Sequence, residues 1–155
     1  MKNLTYIFLA VLISVSSLSC SSNDTDLGLG GGNSLSVKID GTKFESLGAT
    51  TSAVVTSGVL SIQGGKSNGE TLRITLMNYT GKGTYKTGDH ISNTNGINYI
   101  TLTPIATWTS TFDIGSGTVT ITKDTGSELE GTFSFVGVNG SATKNFTEGK
   151  FSIDY

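Results

Sequence analysis

From residue 34 onward, apolar and polar residues alternate in one segment after another, and no stretch carries apolar residues at helical spacing. Leu35, Val37 and Ile39 alternate with Ser36 and Lys38, and Leu72, Ile74 and Leu76 with Thr71, Arg73 and Thr75. Val119 and Ile121 alternate with Thr118, Thr120 and Thr122; Phe133 and Phe135 share a face near Leu129; Phe151, Ile153 and Tyr155 repeat the period. Each segment predicts a strand with one apolar and one polar face, the pattern of antiparallel sheets packed on a single core. Asp40-Gly41 predicts a hairpin that returns the chain to Phe44, and Asn68-Gly69, Asn95-Gly96 and Asn139-Gly140 offer the positive φ angles of tight reversals. On this reading glycine is abundant because the chain turns often. Pro104, the sole proline, marks a bend or an edge because it cannot donate to a ladder. Turn signals about 8 to 12 residues apart predict roughly nine or ten strands, forming an all-β antiparallel sandwich or a flattened small barrel over residues 34–155.

The first 33 residues break the pattern. Lys2 precedes an apolar run from Leu4 to Val15, and Ser16-Ser17-Leu18-Ser19 leads to Cys20, the one cysteine. Residues 1–19 therefore read as a secretory signal. At 1.5 Å per residue the apolar run covers roughly 18 Å, short of the roughly 30 Å hydrocarbon core that a spanning helix crosses. A single cysteine in an exported chain has no intramolecular partner. Its position resembles a bacterial lipoprotein signal, although Ser17 stands where leucine is usual and Leu18 follows it. The resemblance implies a diacylated Cys20 thiol, cleavage before Cys20 and acylation of the new amino terminus, and several acyl chains make a stable membrane anchor. Residues 20–33, with Asp24, Asp26 and a glycine-rich end, read as a flexible tether spanning roughly 20 Å. The stretch CSSNDTD resembles the acidic export signal of surface lipoproteins of Bacteroidota, which implies a domain outside the outer membrane.

Composition narrows the function classes. With 35% hydrophobic and 14% charged residues and a formal net charge of −2, the chain is neither a coiled coil nor a polybasic nucleic-acid binder. Gly64-Gly65-Lys66-Ser67 matches only the tail of a phosphate-binding loop, since Leu60 occupies the required glycine position and no helix follows. His90, the sole histidine, follows Asp89 in a loop, and no serine sits in a nucleophile elbow. One histidine and no cysteine in the folded part supply no zinc set. Glu128 and Glu130 share one strand face with β-carbons roughly 7 Å apart. Neighbours on one strand do not flank a substrate from opposite sides; with Asp124 they suggest at most a weak Ca²⁺ site. No catalytic residue, cofactor or metal is assigned.

The outward faces are rich in threonine. Thr107, Thr109 and Thr111 share one side of a strand, and Thr118, Thr120 and Thr122 one side of the next. If these two strands pair, they form a flat hydroxyl array suited to glycans or ice; alternatively, threonine simply favours strands and keeps a face soluble. Trp108, Phe112, Tyr79, Tyr85 and Tyr99 either stack on sugar rings or belong to the core. The opening SVKIDGTKFES, the central ITLMNYTGKGTY and the strands GTVTITK and LEGTFSFV resemble a family of small Bacteroidota lipoproteins with an all-β domain of unknown function. That resemblance conveys fold and address and no catalytic residue. The expectation is a noncatalytic binding or interaction module, lipid-anchored at Cys20 and surface-exposed on the outer membrane. Its partners would be the membrane and a glycan or protein, not nucleic acid. The alternative is a lipocalin-like carrier whose barrel holds a small apolar ligand.

Overall fold

The computed structural model describes residues 32–155; the expected signal, Cys20 and the tether up to residue 31 lie outside the described residues. The alternating segments form eleven strands: β1 (Ser34–Ile39), β2 (Thr42–Glu45), β3 (Ser52–Thr56), β4 (Val59–Gly65), β5 (Thr71–Leu76), β6 (Gly83–Thr87), β7 (Gly96–Leu102), β8 (Ile105–Thr111), β9 (Ser116–Asp124), β10 (Glu128–Asn139) and β11 (Ala142–Asp154). One 3₁₀ turn, Gly48–Thr50, links β2 to β3. All ladders are antiparallel, in the order β2-β1-β11-β10-β8-β7-β5-β4-β3, with β6 joined through β9 to β10. The fold is thus all-β, as the alternation predicts.

Two long strands organise the sheet. β10 and β11 form a hairpin, and β10 divides its other edge between two partners, β9 from Leu129↔Asp124 to Val136↔Ser116 and β8 at Val138↔Thr109. β8 and β9 thus follow one another along that edge instead of pairing side by side. The sheet curls until its two ends meet: the Leu47 amide donates to the Gly65 carbonyl at 2.9 Å, and Asn33 Nδ2 to the Thr51 carbonyl at 3.1 Å. β1 runs from Ser34, opposite Ser152, to Ile39, opposite Phe146.

The inward face is filled by large side chains. Leu35, Leu60, Ile62, Leu72, Ile74, Leu76, Ile97 and Leu129 are fully buried. Through the interior runs a chain of rings: Phe44 edge-on to Tyr99 at 5.9 Å, Tyr99 edge-on to Phe146 at 5.4 Å, and Phe146 stacked on Phe135 at 3.8 Å. The buried hydroxyls are paired, Ser46 with Thr51 at 2.5 Å and Thr87 with Ser110 at 2.6 Å, so neither is buried without a partner.

One turn prediction needs correction, and one turn goes unpredicted. Asp40-Gly41, Gly69 and Gly140 do take positive φ, but Gly96 opens β7 without it. Asn95 acts through its side chain instead, accepting from the Met77 amide at 2.7 Å and donating to the Lys86 carbonyl at 3.0 Å. Ser57-Gly58, at φ +50° and +75°, makes the β3–β4 hairpin that the sequence reading missed. Glycine is also not only a turn residue. Gly131, Gly137 and Gly149 sit inside β10 and β11 beneath aromatic rings; a β-carbon at Gly137 would lie 3.0 Å from side-chain atoms of both Phe146 and Trp108. Pro104, joined to Thr103 by a cis peptide bond, lies in the β7–β8 bend as expected.

Candidate functional site

Val119 and Ile121 take the core face of β9, so Thr118, Thr120 and Thr122 face outward. β9 lies between β6 and β10, and the ladder registers set Thr84 beside Thr120, Thr120 beside Thr132 and Thr132 beside Lys150, with Thr118 beside Ser134 in the next row. The Thr84 and Thr120 hydroxyls are 3.3 Å apart. Between Phe133 and Phe135 the β10–β11 ladder shifts register, and Glu148 takes φ +54°. Beside this bulge the outer surface holds a hollow of about 400 Å³ lined by Thr118, Thr120, Thr132, Ser134, Glu148 and Lys150. Each hydroxyl there both donates and accepts, and Lys150 adds a strong donor, while the Glu148 carboxylate is held by Lys38 Nζ at 2.8 Å. Hydroxyls placed this way can make many modest hydrogen bonds to a hydroxylated ligand.

The β8 threonines lie elsewhere. Thr107, Thr109 and Thr111 oppose Ile100, Asn98 and Gly96 of β7, and Thr109 also opposes Val138 of β10. Because β8 and β9 share no ladder, the six threonines are not one array; only Thr118 and Thr120 of β9 enter the hollow. Two of the six hydroxyls are engaged by backbone, Thr111 donating to the Asn95 carbonyl at 3.0 Å and Thr122 to the Glu130 carbonyl at 3.1 Å.

The remaining sequence candidates separate cleanly. Tyr79 and Tyr99 are buried, Tyr85 and Trp108 pack against the core, and Phe112 is exposed at φ +53°. His90 is exposed, with its Nδ1 2.7 Å from the Ser92 hydroxyl. Glu128 and Glu130 both bind Lys123, at 3.0 and 3.2 Å. Asp124 does not join them for a Ca²⁺ site, because consecutive strand residues face opposite sides. It accepts instead from the Tyr79 hydroxyl at 2.6 Å, the Tyr155 hydroxyl at 2.7 Å and the Gly126 amide at 3.0 Å. Those hydroxyls hold the Asp124 carboxyl below its ordinary value, Tyr79 most strongly. Burial, then the hydrogen bond to Asp124 and its charge, pushes Tyr155 up to about 12 and Tyr79 further up. Among the described residues no three His, Cys, Asp or Glu side chains gather in a group that could hold a metal ion.

A second hollow, of about 330 Å³, opens at the end of the ring chain. Phe44 and Tyr99 line it, with Asp40 from the β1–β2 turn, Lys66 and Glu70 from the β4–β5 turn, and Lys144 from β11. Lys66 Nζ lies 3.0 Å from Glu70 Oε2, and Lys144 Nζ 3.1 Å from Asp40 Oδ2. The sequence reading named Lys66 only as part of a failed phosphate loop and did not single out Lys144. The Lys66–Glu70 pair is local to the β4–β5 turn, whereas Lys144 carries no local signal because the carboxylate that faces it comes from elsewhere in the chain. Lys144 and Asp40 are 104 positions apart.

Comparison with curated proteins and with solved structures gives no match. A family model described as a domain of unknown function (DUF6252) matches residues 32–153, from just before β1 to one residue short of the end of β11. By that match over most of its length, the chain belongs to the DUF6252 family.

Proposed function

We propose that this protein is a lipid-anchored, noncatalytic binding module, held at the outer membrane through Cys20 and exposed at the cell surface, whose β9–β10–β11 groove takes a glycan. The observation that carries the reading is the groove. Same-face residues recur about every 7 Å along a strand and neighbouring strands lie about 4.8 Å apart. Thr118, Thr120, Thr132 and Ser134 are therefore a grid of hydroxyls in register, with Glu148 and Lys150 at its border. A chain of sugar rings offers the complementary pattern of donors and acceptors at similar intervals. The anchor rests on the signal-like residues 1–19 and on the single cysteine that ends them. The filled inner face, with Phe44 and Phe146 fully buried, supports a site on the outside over a ligand carried in the interior.

A glycan array incubated with the full chain tests the groove. Hits should weaken in Thr120→Lys and Thr132→Lys, each of which thrusts a long charged side chain into the grid. A blank array, or hits indifferent to both changes, refutes the glycan assignment. Cys20→Ala should abolish fatty-acid labelling in cells, and labelling that survives removes the anchor.

A further inference from the structure

The second hollow differs in chemistry from the threonine groove, and its hydrogen-bonding capacity is lopsided. The carboxylate acceptors at its rim are largely engaged within the protein. Asp40 accepts from the Asn145 amide at 2.9 Å and from Lys144. Glu70 accepts from Lys66, from Asn68 Nδ2 at 2.9 Å and from the Tyr99 hydroxyl. These bonds have a visible consequence: the Asn145 amide chiefly holds Asp40 below its ordinary value, and Glu70 stays low although its burial pushes it up. Both carboxylates are thus fixed as anions with few lone pairs to offer.

The ammonium groups are in the opposite condition. A lysine carries three N–H donors, and Lys66 and Lys144 each spend one on a rim carboxylate. Both also sit over aromatic faces, Lys66 5.6 Å from the Phe44 ring centre and Lys144 5.0 Å from that of Trp108, which holds the charged heads near the hollow. What the hollow lacks is acceptors. Its volume, about 330 Å³, is at the lower end of the range for small-molecule sites, and its wall includes the rings of Phe44 and Tyr99.

We propose that this hollow binds a small organic anion, with its carboxylate or phosphate group hydrogen-bonded by Lys66 and Lys144 and its carbon skeleton against Phe44 and Tyr99. The two lysines reach the ligand from separate elements, the β4–β5 turn and β11, so binding spans the place where distant parts of the chain meet. Charge-assisted N–H···O bonds at a partly desolvated rim are about twice as strong as neutral ones, which favours an anion over a neutral sugar of equal size.

The test is a nuclear magnetic resonance titration of the full chain in detergent with glucuronate, inorganic phosphate and, as the neutral control, glucose. Saturable shifts are expected at Lys66, Tyr99 and Lys144 with at least one of the two anions and none with glucose. Whichever anion binds identifies the preferred head group. Affinity should fall roughly tenfold in Lys66→Gln and in Lys144→Gln, with the rest of the spectrum unchanged, and should weaken with added salt. The absence of saturable shifts with both anions, equal binding of glucose, or undiminished affinity in both variants overturns the proposal.

Discussion

Replacing Gly149 by alanine adds one methyl group to the inner face of β11 and should cost about 2–3 kcal/mol, the upper part of the usual range for overpacking a core. A β-carbon there would lie 2.7 Å from two ring carbons of Phe133 and 2.5 Å from the Phe133 carbonyl oxygen. Comfortable carbon–carbon separations are about 3.5–4.0 Å. Neither neighbour can move easily. The ring is stacked on Phe151 at 6.4 Å, and the carbonyl belongs to the longest hairpin of the sheet. Backbone strain does not enter, since Gly149 has no positive φ. Loss of unfolded-chain freedom favours alanine by about 0.4–1 kcal/mol, so crowding must overcome that gain before any loss is seen. For a domain of this size the net loss lowers the melting temperature by roughly 6–15 °C. Urea unfolding followed by fluorescence gives the free energy and, from an unchanged slope, shows that the same transition is measured. The cycle closes with Phe133→Leu, which removes the ring and leaves only the carbonyl contact; in that background Gly149→Ala should cost about 1 kcal/mol less. A loss below about 0.5 kcal/mol, or the same loss in both backgrounds, refutes the argument that the ring occupies the space glycine leaves.

Two further predictions concern the loops and the Asp124 cluster. Asp124→Ala strands the buried Tyr79 hydroxyl and should destabilise by about 1–3 kcal/mol by urea denaturation. The folded carboxyl titrates below its unfolded value, so its contribution is present above about pH 4 and is lost as pH falls through the folded value. Acidification should therefore destabilise the parent protein more steeply than Asp124→Asn, and parallel acid curves would contradict the pinning. Ser57→Asn places the favoured Asn-Gly pair in a turn whose first residue already has φ +50°. It should raise stability by a few tenths of a kcal/mol, and a lower melting temperature would argue against the assigned turn.

The parts of the fold legible in the sequence are those set by neighbours along the chain. Leu72, Ile74 and Leu76 announce β5 because a strand's two faces follow from local geometry, and Asp40-Gly41 announces its hairpin because both residues tolerate positive φ. Longer-range facts are not written locally. Asn95-Gly96 has the composition of a turn, yet Asn95 is used as a side-chain clasp because Met77 and Lys86 arrive beside it. The threonines of β8 and β9 look like one array until the β10 edge is seen to take both strands in succession. Gly149 looks like another turn glycine until Phe133 lies across it. Two of the six expected threonines, Thr118 and Thr120, thus enter the outer groove, while the charged hollow escaped notice because β1, the β4–β5 turn, β7 and β11 meet there only in the folded chain.

β1 gives the domain a foot and a crown. Ser34 stands at its lower end beside Ser152, and Ile39 at its upper end beside Phe146, a rise of about 17 Å at the usual strand spacing. The segment leading back toward the N-terminus leaves from the foot, whereas Ile39 and Asp40 border the charged hollow at the crown. The point where the chain enters the domain and the mouth of the hollow therefore lie at opposite ends of one strand, so a change made at either end need not reach the other.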